Sequence, residues 1–157
     1  MRRTVWWGAL VWIILSTAGL GPGEAGAGDP APGKSTDVGP GRTERVMVEG
    51  SGAYTNVDAA GLAEMLRAKA FPLINVHIPY QGEIAGTDLF IPFDRIEANL
   101  DKLPADKHAR VVLYCRSGSM SATAARALVK RGYTDVWNLA EGMIGWERAG
   151  YPLAGGR

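Results

Sequence analysis

Cysteine is almost missing from this sequence: Cys115 is the only one in 157 residues. No disulfide can form within the chain, so that thiol is not there to staple the fold. Histidine is nearly as scarce, with only His77 and His108. One cysteine and two separated histidines lack the spacing of a structural or catalytic metal site, and no metal is expected. An excess of charge is also lacking, since 17 Lys and Arg face 16 Asp and Glu for a net charge of +1. Neither sign gathers in a long run, which argues against nucleic acid as a partner. There is no Gly-rich phosphate loop with its lysine, no clustering of carboxylates and no internal repeat, and no cofactor is expected.

What is present begins with an export signal. Arg2 and Arg3 precede an apolar stretch from Val5 to Leu20, and Ala25-Gly26-Ala27 offers a small-residue cleavage site, so residues 1–27 read as a signal peptide. The stretch is shorter than the ~20 residues a spanning helix needs and is broken by Gly8, Ser16, Thr17 and Gly19. The expected location is therefore periplasmic or secreted, with membrane contact only if the segment stays uncleaved. Disulfides persist in such compartments. A lone thiol there is either buried and inert or kept for its chemistry, and its neighbours must decide between the two.

Residues 28–51 read as a flexible linker, because GDPAPGKSTDVGPGR is built of Gly, Pro and small polar residues that cannot offset the entropy of ordering. Val46-Met47-Val48 is either a short strand or the end of that linker. One domain of ordinary size then fills residues 52–157. Tyr54-Thr55 predicts a short strand, and Asp58 caps a helix to about Lys69 with Leu62, Met65 and Leu66 as its buried stripe. Pro72–His77 and Arg110–Tyr114 are apolar runs of strand length and predict central strands covered on both faces. Phe93, Ile96, Leu100 and Leu103 recur at helical spacing, and Pro104 ends that helix. Ser121–Arg131 is an Ala-rich helix with Leu128 and Val129 inward. Asp135–Leu139 is a further strand and Met143–Ala149 a last short helix. This alternation predicts an α/β fold, a central mainly parallel sheet with helices on both faces.

The chemistry concentrates where Arg110–Tyr114 runs into Cys115-Arg116-Ser117-Gly118-Ser119-Met120-Ser121. This places a thiol at the carboxyl end of a central strand and the amino end of a helix, the edge at which open α/β sheets bind ligands. A loop containing Gly118 can curl so that its N–H groups point inward, and with the unpaired first N–H groups of the helix they would hold negative charge on sulfur. Helix amino-termini and cationic neighbours favour the thiolate, the nucleophilic form of cysteine. His108 lies in the polar segment Ala105–Arg110 and reads as a surface residue.

The segment CRSGSMSATAARALVKRGYTDVWNLAEGMIGWERAGYPL resembles the carboxyl-terminal half of a rhodanese-like domain, and the similarity extends over Gly52–Leu153. Its marks are the cysteine loop, the Ala-rich helix ending in Arg131-Gly132-Tyr133, the strand Val136–Leu139, and Glu141-Gly142-Met143 followed by Trp146 and Gly150-Tyr151-Pro152. The resemblance implies a single-domain sulfurtransferase. Cys115 takes sulfane sulfur from a donor such as thiosulfate or an organic persulfide, the loop Arg116 to Ser121 holds the persulfide, and a thiol or cyanide accepts the sulfur. Phosphatase relatives of this fold use a longer loop with an arginine six positions after the cysteine. Here that position is Ser121, which removes the clamp on a phosphoryl group.

The sequence departs from the family pattern in two places. Where many rhodanese-like domains carry Asp-Val-Arg, this chain has Asn75-Val76-His77. Either neutral hydrogen bonds replace an ion pair there, or His77 contacts the substrate. Met120 stands where enzymes for small anionic donors often have a basic residue; it either walls the site for an organic persulfide or a protein acceptor, or packs on the helix. Two further readings accompany the enzyme: a sulfur carrier that serves one cognate partner in a sulfur relay without turning over small molecules, and a binding domain that no longer reacts.

Overall fold

A computed structural model of the protein describes residues 41–155. The expected signal peptide and residues 28–40 of the expected linker lie outside the described residues. In chain order the elements are strands β1 (Thr43–Val48) and β2 (Gly52–Val57), helix α1 (Ala59–Arg67), strands β3 (Leu73–Asn75), β4 (Glu83–Ile84) and β5 (Leu89–Phe90), a 3-10 segment (Phe93–Lys102), strand β6 (Val111–Tyr114), helix α2 (Ser119–Lys130), strand β7 (Val136–Leu139), helix α3 (Gly142–Arg148) and strand β8 (Leu153–Ala154).

Six strands form one sheet in the order β1-β2-β7-β6-β3-β5. The β1–β2 pair is antiparallel and the remaining pairs are parallel. Side chains alternate across this sheet, as the period of two requires. On β6, Val111 and Leu113, followed by Cys115, join the core built with α2 and the 3-10 segment. Val112 and Tyr114 join the opposite core, built with α1 and α3. All four β6 residues are completely buried, which is why the run reads as uniformly apolar rather than alternating. The expected α/β architecture, a mainly parallel sheet covered on both faces, is the one found.

Several expected boundaries move. The linker placed at residues 28–51 ends earlier, because Thr43–Val48 pairs along its whole length with β2, from Thr43↔Val57 to Val48↔Gly52. Val48 is buried and Val46 packs on the α2-side core, so this segment gains enough apolar burial to order despite the Gly and Pro that precede it. The helix expected from Phe93 is a 3-10 segment kinked at Asn99 (φ −125°), whose side chain donates to the Arg95 carbonyl (2.8 Å) and competes with regular helical bonding. Helix α2 starts at Ser119 rather than Ser121, so the last three residues of the expected loop form its first turn. The small antiparallel pair β4–β8 is too short to leave a periodic signal.

Candidate active site

The site grows from the end of β6. Cys115 is 1% exposed, and its Sγ accepts a hydrogen bond from the Gly118 N–H at 3.1 Å. The Ser121 hydroxyl is placed to donate to Sγ at 3.4 Å or to the Gly118 carbonyl at 3.2 Å; its single proton serves one of them at a time. Ser121 is itself fully buried. The opening N–H groups of α2 have no partner within the helix, and with the helix dipole they make this a favourable place for negative charge on sulfur.

Two glycines and the amino end of α3 set the shape of the loop. Met143 N–H donates to the Cys115 carbonyl (2.9 Å) and Ile144 N–H to the Arg116 carbonyl (3.0 Å). The loop carbonyls are thereby tied to α3, leaving the Gly118 N–H for the sulfur. Gly118 has φ +88° and Gly142 φ +57°. A Cβ at Gly118 would strike the Ala140 carbonyl, and one at Gly142 would strike the Cys115 carbonyl oxygen and the Arg116 carbonyl group. Both positions therefore need glycine for conformation and for space.

The remaining expected site residues divide. Arg116 is exposed and its Nη1 donates to Gln81 Oε1 at 2.8 Å; among the described residues it forms no ion pair. Ser117 and Ser119 are exposed. Met120 is partly buried and packs on the α2-side core. His77 is 6% exposed, and neither ring nitrogen has a partner among the described residues. Its backbone N–H donates to Asn75 Oδ1 (3.0 Å) while Asn75 Nδ2 donates to the Gly82 carbonyl (3.0 Å). Neutral hydrogen bonds of a fully buried Asn75 thus hold the chain that leaves β3. His108 is exposed, with Nδ1 2.9 Å from the Thr134 hydroxyl, as a surface residue should be.

Three contributors went unnoticed in the sequence. Gln81 orients Arg116 from 35 positions away, a separation that leaves no local signal. Tyr114 ends β6 with its hydroxyl accepting from Ile84 N–H (3.0 Å) and 2.6 Å from Thr87 Oγ1; burial pushes its phenol up to about 12, although the Thr87 and Ile84 bonds act the other way. Asp88 accepts from Leu73 N–H at 2.7 Å and pairs with Lys69. Burial would raise the Asp88 carboxyl, but the Lys69 and Leu73 bonds outweigh it and hold the group below the usual carboxylate range. Beside the loop opens a cleft of about 770 Å³ lined by Tyr80, Gln81, Gly82, Arg116, Glu147, Leu153 and Gly155. Neither Cys115 nor His77 is among its lining residues.

A buried cysteine at the carboxyl edge of a parallel sheet, cradled by a backbone amide at the start of a helix, defines a class of α/β proteins with a sulfur-holding loop. The family model for the Rhodanese-like domain matches residues 61–149, and the chain belongs to that family. A sulfurtransferase of Allochromatium vinosum is 34% identical over 101 residues, covering 62% of this chain and 92% of that protein. A probable adenylyltransferase/sulfurtransferase of Mycobacterium tuberculosis, MoeZ, is 37% identical over 84 residues, which are 51% of this chain and only 21% of that protein. Among solved structures, a rhodanese-related protein from Thermoplasma volcanium superposes with a TM-score of 0.54 at 26% identity, covering 62% of this chain and 95% of that one. The rhodanese-like domain of an Anabaena protein gives 0.55 at 22% identity over 62% of this chain and 76% of its own, a likeness of fold. The first of these relatives supports a sulfurtransferase kind of activity.

Proposed function

We propose that this protein is an exported sulfurtransferase that moves sulfane sulfur through a persulfide on Cys115. The observation that carries the reading is the placement of Sγ, 3.1 Å from the Gly118 N–H at the amino end of α2. With thiosulfate, the Cys115 thiolate attacks the outer sulfur, the bond to the sulfonate sulfur breaks, and its electron pair leaves with sulfite. With an organic persulfide, the same attack releases the thiolate. In the second half, cyanide or an acceptor thiolate attacks the outer sulfur of the Cys115 persulfide and the electron pair returns to Sγ. No external oxidant or reductant is needed, and the two half-reactions share one nucleophile. The loop Arg116–Ser121 holds the persulfide, chiefly through the Gly118 N–H and the Ser121 hydroxyl. Export rests on the amino-terminal sequence, Arg2 and Arg3 before the apolar stretch and a small-residue site at Ala25–Ala27.

A carrier that hands its sulfur to one protein partner is the second reading, favoured by the near-complete burial of Cys115, which limits the approach of bulk acceptors. Steady-state thiocyanate formation from thiosulfate and cyanide separates the two. Sustained turnover abolished by Cys115→Ser supports the enzyme. A single stoichiometric release without turnover supports the carrier.

A further inference from the structure

Resting on the sulfurtransferase reading, we infer that the cleft beside the loop binds an α-amino-acid thiol or its persulfide, with Arg116 taking the carboxylate and Glu147 the ammonium. The cleft, at about 770 Å³, has the size of a small-molecule site, for which ~300–1,000 Å³ is usual. Two opposite charges line it, and neither is consumed by the fold. Among the described residues the ion pairs of this region join Arg148 to Glu141 and Lys69 to Asp88, while neither Arg116 nor Glu147 forms an ion pair, with each other or with any other described residue.

Their placement follows from the backbone. Ile144 N–H donates to the Arg116 carbonyl, which presses α3 against the cysteine loop. Glu147 lies three residues further on, on the same side of the helix and about one turn along. Gln81 takes one N–H of Arg116 Nη1 and leaves most of the guanidinium donors for a carboxylate, which Arg grips in a fork geometry. Tyr80 and Leu153 add apolar surface to the lining. A dianion such as thiosulfate would meet attraction from Arg116 and repulsion from Glu147. A zwitterion satisfies both, and Arg116, the residue that follows Cys115 in the chain, joins the cleft to the cysteine loop. In the transfer step its thiolate attacks the outer sulfur of the Cys115 persulfide, the S–S bond to Sγ breaks, and Cys115 is returned as thiolate.

The test loads Cys115 with inorganic polysulfide, which makes no use of the cleft, and follows discharge to cysteine and to 3-mercaptopropionate, acceptors differing in the ammonium group. Glu147→Gln should slow discharge to cysteine about two- to five-fold, the range of partly exposed ion pairs, and leave 3-mercaptopropionate unslowed. Arg116→Gln should slow both. Comparing the change within each acceptor cancels their different intrinsic nucleophilicities. Equal effects of Glu147→Gln on the two thiols, or none on either, overturn the inference. If polysulfide never loads Cys115 in the native protein, the sulfurtransferase reading itself fails, a separate and recognisable outcome.

Discussion

The cysteine loop and the arm that leaves β3 stand side by side at the same edge of the sheet, yet they are held in different ways. Residues 115–118 are fixed by backbone hydrogen bonds to α3 and by two glycines whose neighbours leave no room for a side chain. Residues 76–90 share in backbone pairing, through β4, β5 and the Val76 N–H to the Tyr114 carbonyl, and carry a set of side-chain ties besides: Asn75 to Gly82, Tyr114 to Ile84 and Thr87, Asp88 to Leu73, and Gln81 to Arg116. Where sulfur must sit within hydrogen-bond reach of an amide, backbone bonds and glycines without room for a side chain set the geometry; the neighbouring arm adds replaceable side-chain staples to its short strand pairings.

The largest expected effect comes from breaking the backbone side of this contrast. Gly118→Ala forces a Cβ into the Ala140 carbonyl at a φ of +88°, and strain with overpacking should cost about 2–4 kcal/mol. Thermal unfolding should shift down strongly and sulfur loading should fall with it; an unaffected melting temperature would show that the loop is not clamped as described. Asn75→Ala attacks the side-chain staples instead. It strands the Gly82 carbonyl and the His77 N–H, a loss of about 1–3 kcal/mol by chemical denaturation, while loading of Cys115 at saturating donor should persist.

Tyr114→Phe should remove the acceptor of the Ile84 N–H at a similar or smaller cost of about 1–2 kcal/mol, and it carries a pH signature. The folded protein holds this phenol at about 12 against about 10 when unfolded. The stabilisation is therefore complete below about pH 10 and is lost as pH rises toward the folded value. Alkaline denaturation curves should be flatter for Tyr114→Phe across that window. The smallest effect is expected at Asp88, whose carboxyl is held low. Its contribution is present above about pH 4 and disappears as pH falls through the folded value, so Asp88→Asn should lessen the loss of stability in acid.

The same contrast explains how much was legible in the sequence. The strand ending at Tyr114, the cysteine loop and the helix after it are local and stretch over consecutive residues, so apolar runs, Gly118 and the Ala-rich segment revealed them together. Asp58 was readable as a cap, and its Oδ1 does accept from the Gly61 N–H. The arm was not legible, because Gln81, Tyr114 and Asp88 act on partners 15 to 35 residues away. Asn75 could be seen to replace an acid, but its bond to Gly82 needed the fold. Strand β1 was hidden by composition, since its pairing with β2 offsets what its polar neighbours suggest.

The most direct test of sulfur passing through Cys115 is the intact mass of the purified protein before and after exposure to thiosulfate and to an organic persulfide, with Cys115→Ser as control. The mass should rise by one sulfur atom, which cyanide removes again and which never appears on the variant. A reduced protein that gains no sulfur from either donor, or gains it equally in Cys115→Ser, would show that sulfur does not pass through Cys115.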